Sequence, residues 1–472
     1  MNADLKFGTS GLRGLATRLD RATCSAYTRA FIGMLKQSGF TLTALCIGMD
    51  LRPSSAQMAA WCAEAAIDEG LAIINGGTIP TPALARYALG RSLPALMITA
   101  SHNPVEHNGI KFYRPDGELM KEDEAPMTAL LARDAGVAAD RVPDLPPVAL
   151  SVASEYINSY RTLFAADALA RMRLGVDQHS AVGRDILVTI LESLGAECFA
   201  VRRSDSFIAI DTEALPSNYL DLARGWLGTG RFDAIVSTDG DGDRPLLIDE
   251  TGRQVQGDVL GILAAHHLGY DAIATPVSST SAVEDSLWFQ SVRRTRIGSP
   301  YVIAAMRDAL EAGAVSVAGF EGNGGMLTGG IHRWRDRSVH ELMTRDAVLP
   351  MLATLSMARE SGLAVSALTR LLPRRSKATG RLADVDTDKA RLWIEGLVSS
   401  AAIREAALPV LSQTERIETV DGAKFLLRDG SSLHFRLSGN APELRCYVES
   451  VDPDTSHLAL EAALDTARAA VT

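Results

Sequence analysis

A serine beside a histidine at the end of an apolar run is the first feature of this sequence that could do chemistry. Thr99-Ala100-Ser101-His102-Asn103-Pro104 follows the run 95–98. A hydroxyl next to an imidazole is a candidate nucleophile, and the same residues also make an ordinary turn. No G-x-S-x-G elbow is present, which argues against an α/β-hydrolase. A second loop, Asp239-Gly240-Asp241-Gly242-Asp243-Arg244, follows the run 233–237. Three carboxylates at alternating positions can converge on one hard cation, and without one they repel each other. Asp239, Asp241, Asp243 and Glu250 also fit positions one, three, five and twelve of an EF-hand calcium loop. Against that reading, Arg244 stands where the loop needs glycine, and a β-like run precedes it instead of a helix.

Two further loops carry weaker signals. Gly319-Phe320-Glu321-Gly322-Asn323-Gly324-Gly325 places a carboxylate and an amide on a flexible turn, and such a pair can hydrogen-bond vicinal hydroxyls. Near the C-terminus, Arg436-Leu437-Ser438-Gly439-Asn440-Ala441-Pro442-Glu443-Leu444-Arg445 combines a guanidinium, a hydroxyl and a glycine-loosened backbone, the parts of a phosphate cradle or of a surface hairpin.

The elements that must hold these loops alternate. Residues 45–50 read as a strand, 57–69 as a helix and 71–74 as the next strand; the cadence returns at 173–177, 184–194 and 197–201, and again near 272–277 and 316–320. Alternating strands and helices predict α/β units with partly parallel sheets, which put ligands at the C-terminal ends of strands. Breaks fall at 141–147, with its three prolines, near 249–257, and near 373–380. They suggest four domains: 1–145 bearing Ser101, 146–252 with the aspartates, 253–370 with Glu321, and 371–472 with Arg436.

The bulk properties narrow the function. Of 472 residues, 47% are hydrophobic and 22% charged, ordinary for a globular protein. Asp and Glu (57) outnumber Lys and Arg (47), which argues against a general affinity for nucleic acid or anionic membrane. The five cysteines, Cys24, Cys46, Cys62, Cys198 and Cys446, form no C-x-x-C pair and read as reduced thiols. The first residues show no signal-peptide pattern, and no apolar run reaches membrane-spanning length. A soluble, cytoplasmic protein is expected.

Taken together and in order, the loops resemble the α-D-phosphohexomutase family, the phosphoglucomutases and phosphomannomutases. The likeness begins at Phe7-Gly8-Thr9-Ser10-Gly11-Leu12-Arg13-Gly14 and runs through 48–55, 77–82, the Ser101 loop, Asn108-Gly109-Ile110-Lys111-Phe112 and the three later loops. It implies three similar α/β/α domains with mixed sheets plus a smaller α+β C-terminal domain, with the active site in the cleft between them. It further implies that Ser101 carries a phosphate, and that Asp239, Asp241 and Asp243 bind Mg²⁺ together with a phosphoserine oxygen. Glu321 and Asn323 would hold sugar hydroxyls. Arg436, Ser438, Gly439 and Asn440 would grip the phosphate that is not transferred, and Arg13, His102, Lys111 and Arg244 would line the reaction centre. The residue types suit these roles. A phosphoserine adds about −1.5 to −2 of charge beside three carboxylates, so cations besides one Mg²⁺ are required, and phosphoryl transfer is mostly positioning and charge stabilisation. His102 and Lys111 are both candidates for proton transfer to and from the sugar hydroxyl.

The expected activity is interconversion of hexose 1-phosphate and hexose 6-phosphate through a hexose 1,6-bisphosphate, which would also serve as activator. Mannose is the expected sugar, with glucose accepted. The alternatives are a dedicated phosphoglucomutase, a phosphoglucosamine mutase, a calcium-binding protein and a non-catalytic sugar-phosphate binder. Many relatives have histidine where this chain has Gly325 and serine where it has Asn323, and their phosphate loop often reads Ser-Gly-Thr-Glu-Pro where this one reads Ser438-Gly439-Asn440-Ala441-Pro442. These departures bear on the choice of sugar.

Overall fold

The computed structural model describes residues 5–8, 11–131, 144–438 and 442–471. The strand Ala44–Met49 shows why the first sheet forms. Its residues, ALCIGM, are buried at every position, as expected for a strand covered on both faces. It is β3 of a set comprising β1 (Lys6–Gly8), β2 (Gly11–Leu15), β4 (Ala72–Thr78), β5 (Ala95–Ile98), β6 (His107–Arg114) and β7 (Gly117–Glu118). The order is β1-β2-β6-β5-β3-β4, with β7 on β6. β3 is parallel to β4 and β5, while β6 is antiparallel to β5 and β2. Leu45, Ile47, Leu96, Ile98 and Phe112 from this sheet share one core with Phe31 and Met58 from the helices Arg21–Gln37 and Ser55–Asp68. Each such side chain contributes about 1.5–3 kcal/mol on burial.

A second mixed sheet follows, built from β8 (Arg173–His179), β9 (Glu197–Arg203), β10 (Ala234–Thr238) and β11 (Pro245–Ile248). β8 is parallel to both β9 and β10, and β10 pairs antiparallel with β11. Further on come β12 (Ala272–Pro276), β13 (Ser291–Thr295), β14 (Ser316–Phe320), β15 (Met326–Gly330), the hairpin β16 (His332–Trp334) and β17 (Arg337–Val339), and β18 (Leu342–Asp346). β15 lies antiparallel between β14 and β18. The Ser101, Asp239 and Glu321 loops thus leave the C-terminal ends of β5, β10 and β14.

The chain divides into two compact units, residues 1–273 with 298–369, and 274–297 with 370–472. The second is an antiparallel sheet of β19 (Ser376–Leu382), β20 (Thr414–Glu418), β21 (Ala423–Leu427), β22 (Ser432–Leu437) and β23 (Leu444–Ser450), in the order β19-β23-β22-β21-β20. Phe425, Leu433, Phe435 and Val448 share its core with Leu397 and Leu460 of the helices Thr387–Ser399 and Pro453–Val471. Within this unit, Thr280 Oγ1 donates to Glu449 Oε1 at 2.6 Å and Lys424 Nζ to the Val277 carbonyl at 3.0 Å, which fastens segment 274–297 to the sheet. The polar stretch 373–380, which reads as a break, supplies β19 from Ser376 onward. It pairs with β23 along its whole length, and an edge strand tolerates such a sequence. Among the described residues no helix is long and apolar enough to cross a membrane.

Candidate active site

Ser101 is buried and left-handed, with φ of 56°. That conformation costs a non-glycine residue about 1–2 kcal/mol, so neighbours must hold it. Thr99 Oγ1 accepts from the Ser101 N–H at 2.8 Å, while Arg52 donates to the Ser101 carbonyl at 2.9 Å. The same guanidinium donates to the carbonyls of Asn103 (2.6 Å), Pro104 (2.6 Å) and His107 (2.9 Å). It is anchored on Asp50 at 3.1 Å and lies 4.1 Å from the centroid of the Phe207 ring. The serine hydroxyl donates to Asp239 Oδ2 at 2.5 Å and lies 3.3 Å from His102 Nδ1.

The aspartate loop joins two antiparallel strands, β10 and β11, and has no flanking helix pair; Glu250 meets the Ser366 N–H instead of closing the loop. The calcium-loop reading therefore fails on geometry. Protein groups satisfy both oxygens of Asp239 and one oxygen each of Asp241 and Asp243. Asp239 Oδ1 accepts from the N–H groups of Gly242, Asp243 and Arg244. Asp241 Oδ2 accepts from Lys111 Nζ and Thr81 Oγ1, each at 2.6 Å. Asp243 Oδ2 accepts from Lys111 Nζ at 2.6 Å and Arg345 Nη2 at 2.8 Å. Asp241 Oδ1 and Asp243 Oδ1 are buried without a hydrogen-bond partner, and the three carboxyl groups each offer an oxygen within 4.8 Å of the others. Buried unpartnered carboxylate oxygens are costly, and a hard divalent cation relieves that cost. The residues fit Mg²⁺. Gly240 is required here because a Cβ would lie 2.9 Å from the Ser101 carbonyl oxygen.

Burial and neighbouring charge act together on every titrating group of the site. Burial, then the neighbouring Asp241 and Asp243, push the Asp239 carboxyl well above its usual range. Burial is the largest single effect at Asp241 and Asp243 and opposes their charge, but Lys111 and Thr81 together at Asp241, and Arg345, Lys111 and Arg244 together at Asp243, outweigh it and hold both low. Lys111 loses charge stability to burial and regains more from Asp241 and Asp243, so it stays protonated. Arg13 is pulled down to about 10 by burial and by Arg244 and Arg345. His102 is pulled down to about 3 by burial and then by Arg244, which leaves the imidazole neutral. Arg244 leans outward to Glu213 at 3.4 Å.

Glu321, at the end of β14, is buried and paired with Arg345 Nη1 at 3.2 Å; burial raises its carboxyl and Arg345 pulls it back. Asn323 turns its own loop, accepting from the Gly325 N–H at 3.0 Å. A Cβ at Gly325 would lie 2.6 Å from the Asp243 carbonyl oxygen and 2.8 Å from Arg345 Cβ. With this backbone, a histidine cannot stand there. In the second unit, Arg436 ends β22 with its Nε 2.6 Å from Asp421 Oδ2, and the Ser438 N–H meets the Glu443 carbonyl at 2.9 Å. Gly439 and Asn440 lie outside the described residues.

Models of the phosphoglucomutase/phosphomannomutase α/β/α domains I, II and III match residues 4–134, 154–252 and 256–375 in that order. The chain belongs to this family. It is 41% identical over 456 residues to a phosphomannomutase of Sinorhizobium fredii, covering 96% of each chain. A phosphomannomutase of Salmonella muenchen is 39% identical over 447 residues, covering 94% of this chain and 92% of that one. A phosphoglucosamine mutase of Maricaulis maris is 28% identical over 431 residues, covering 85% and 88%. The crystal structure of a phosphoglucomutase/phosphomannomutase family protein from Burkholderia thailandensis superposes with a TM-score of 0.76 over 98% of both chains at 19% identity, which shows the shared fold.

Within this phosphohexomutase, the structure brings Ser101, His102, Lys111, Arg13, Arg244, the three aspartates and Glu321 into one network inside the first unit. Two members of that network carry no signal as isolated residues. Arg52 lies in the matching segment 48–55, but its work is done on carbonyls of another loop. Arg345 is the penultimate residue of β18, with no motif around it, more than 100 positions from Asp243.

Proposed function

We propose that this phosphohexomutase interconverts mannose 1-phosphate and mannose 6-phosphate, and accepts the glucose phosphates, with Ser101 as the phosphate carrier and hexose 1,6-bisphosphate as intermediate and activator. The observation that carries the reading is the Ser101 hydroxyl 2.5 Å from Asp239, beside two carboxylates whose buried outer oxygens lack donors. The phosphomannomutase names of the relatives at 41% and 39% identity favour mannose.

The residues divide the work. Asp239, Asp241 and Asp243 would hold Mg²⁺, which when bound neutralises charge on the phosphoryl oxygens. Arg13, Lys111 and Arg244 would balance the remaining phosphate charge. Arg52 keeps the serine loop in its strained shape and the hydroxyl in line. His102, beside Ser101 Oγ, and Lys111 are the candidates for moving the proton of the sugar hydroxyl. Glu321 and Asn323 would hold sugar hydroxyls. Arg436, Ser438, Gly439 and Asn440 would grip the phosphate that stays on the sugar.

The test is mass spectrometry of protein treated with a hexose 1,6-bisphosphate, together with turnover of mannose, glucose and glucosamine 1-phosphates. Label is expected on Ser101, and Ser101→Ala should lose at least about 10³-fold in turnover. Mannose and glucose 1-phosphates should fall within about 100-fold of each other in efficiency, because the hydroxyls read by Glu321 and Asn323 are shared and identical contacts cancel. Glucosamine 1-phosphate should be poorer. Near-normal turnover by Ser101→Ala would end the carrier assignment, and glucosamine 1-phosphate as best substrate would end the sugar assignment.

A further inference from the structure

The last three residues of β18 each make a buried polar contact with a different part of the first unit. Thr344 donates to Glu118 on β7 and lies 3.2 Å from the Tyr113 hydroxyl of β6. Asp346 accepts from Tyr156 at 2.8 Å and from Tyr160, both on the helix Ser151–Leu163, and from the Val348 N–H at 2.9 Å. Arg345 lies between these two anchors, with its side chain only 4% exposed. Its Nη2 and Nε lie 2.8 and 3.2 Å from Asp243 Oδ2, and its Nη1 lies 3.2 Å from Glu321 Oε1. One guanidinium therefore spans the aspartate loop and the Glu321 loop. Gly325 makes this possible, since a Cβ there would press on Arg345 Cβ and Cδ at 2.8 and 2.9 Å.

We propose that Arg345 is a positioning residue: its planar fork sets the place of the sugar-holding carboxylate Glu321 relative to Asp243, and it acts on turnover through Glu321. The proposal rests on the phosphohexomutase reading given above. A guanidinium has donors in a fixed fork that can serve two carboxylates at once, whereas a lysine ammonium is a point charge. Lysine at 345 would keep the charge and stay on one carboxylate. With Lys111 also on Asp243, the aspartate keeps a partner when the fork is lost, and Glu321 is the group that moves.

A double-variant cycle tests this. Arg345→Lys, Glu321→Gln and the combined variant are assayed for kcat and KM with mannose 1-phosphate, for thermal midpoint, and for Mn²⁺ affinity of the dephosphorylated protein. Arg345→Lys should lower kcat/KM at least about 30-fold, since a misplacement of about 1 Å can cost about 100-fold. The combined variant should fall within about threefold of Glu321→Gln alone, and Mn²⁺ affinity of Arg345→Lys should stay within about threefold of wild type. Gly325→Ala, whose added Cβ would crowd Arg345 and also meet the Asp243 carbonyl oxygen at 2.6 Å, should lower kcat/KM as well, which keeps the test open if Arg345→Lys does not fold. Losses that multiply in the combined variant, wild-type kinetics in Arg345→Lys or Gly325→Ala, or a collapse of Mn²⁺ affinity would each overturn the proposal. Multiplying losses in an otherwise active enzyme would leave the phosphohexomutase reading standing; a wild-type protein inert toward every hexose phosphate would remove both.

Discussion

Replacing Arg52 by lysine removes a clamp that touches no substrate in the reading above, yet holds the proposed phosphate carrier. The Arg52 guanidinium is fully buried and makes five hydrogen bonds to four backbone carbonyls of 101–107 and to Asp50. A lysine ammonium has three donors, so at least two of these bonds must go. Hydrogen bonds to charged groups are worth about 1.5–3 kcal/mol each, which sets a loss of roughly 3–6 kcal/mol before any relaxation. For a unit of this size that corresponds to a fall of about 4–8 °C in the thermal midpoint. Part of the loss falls on Ser101 itself, whose left-handed peptide is pinned through its carbonyl. Relaxing that peptide would shift the hydroxyl, and a shift of about 1 Å costs about 100-fold in rate. Arg52→Met should be worse, because it also strands the buried Asp50, at about 3–5 kcal/mol. The assay is the rate of Ser101 phosphorylation by hexose 1,6-bisphosphate, followed by intact mass, beside a thermal scan of the same samples. Arg52→Lys with the wild-type midpoint and the wild-type phosphorylation rate would refute the clamp. A lowered midpoint with an unchanged rate would show that the serine loop holds its shape without it.

Other consequences follow from the charges. Asp239, Asp241, Asp243 and Glu321 face Arg13, Lys111, Arg244 and Arg345, so Mg²⁺ or phosphate entering alone adds charge that the other would offset. Each should therefore favour the other: calorimetry should find Mg²⁺ binding at least about tenfold tighter to the phosphorylated protein, chelator should abolish turnover, and equal affinities for the two forms would count against the assignment. In the second unit, burial pulls His434 down to about 4. Its folded value lies below the unfolded value of about 6.5, so the stability it contributes is complete above about pH 6.5 and is lost as pH falls toward 4. About 2 kcal/mol should be gone by pH 5, read as faster hydrogen exchange in Ser432–Leu437 after correction for intrinsic rates, and His434→Gln with an unchanged acid loss would contradict it. Arg436→Ala should weaken hexose 1-phosphate and hexose 6-phosphate alike, because one cradle must serve both orientations; a defect confined to one isomer, measured by KM in each direction, would argue for two cradles.

The local features of this protein were legible in its residues. Strands such as Ala44–Met49 and Ala95–Ile98 are apolar throughout, and a continuous apolar run bounded by glycine and polar turns has few alternatives to a covered strand. The Ser101 and aspartate loops were legible because their chemistry is contained in consecutive residues: a hydroxyl beside an imidazole, and carboxylates spaced by glycines. What the linear order could not carry was pairing at a distance. Whether the aspartate loop is an EF-hand turned on its placement between antiparallel strands, which is decided by how β10 and β11 meet. The reach of Lys111 to Asp241 and Asp243, 130 and 132 positions away, depends on two sheets closing on each other. The work of Arg52 and Arg345 is likewise invisible in sequence, because an arginine has the same composition whether it is solvated or holds two buried loops together. Its role is set by burial and by the acceptors around it, and only the tertiary structure brings those acceptors within 3.2 Å.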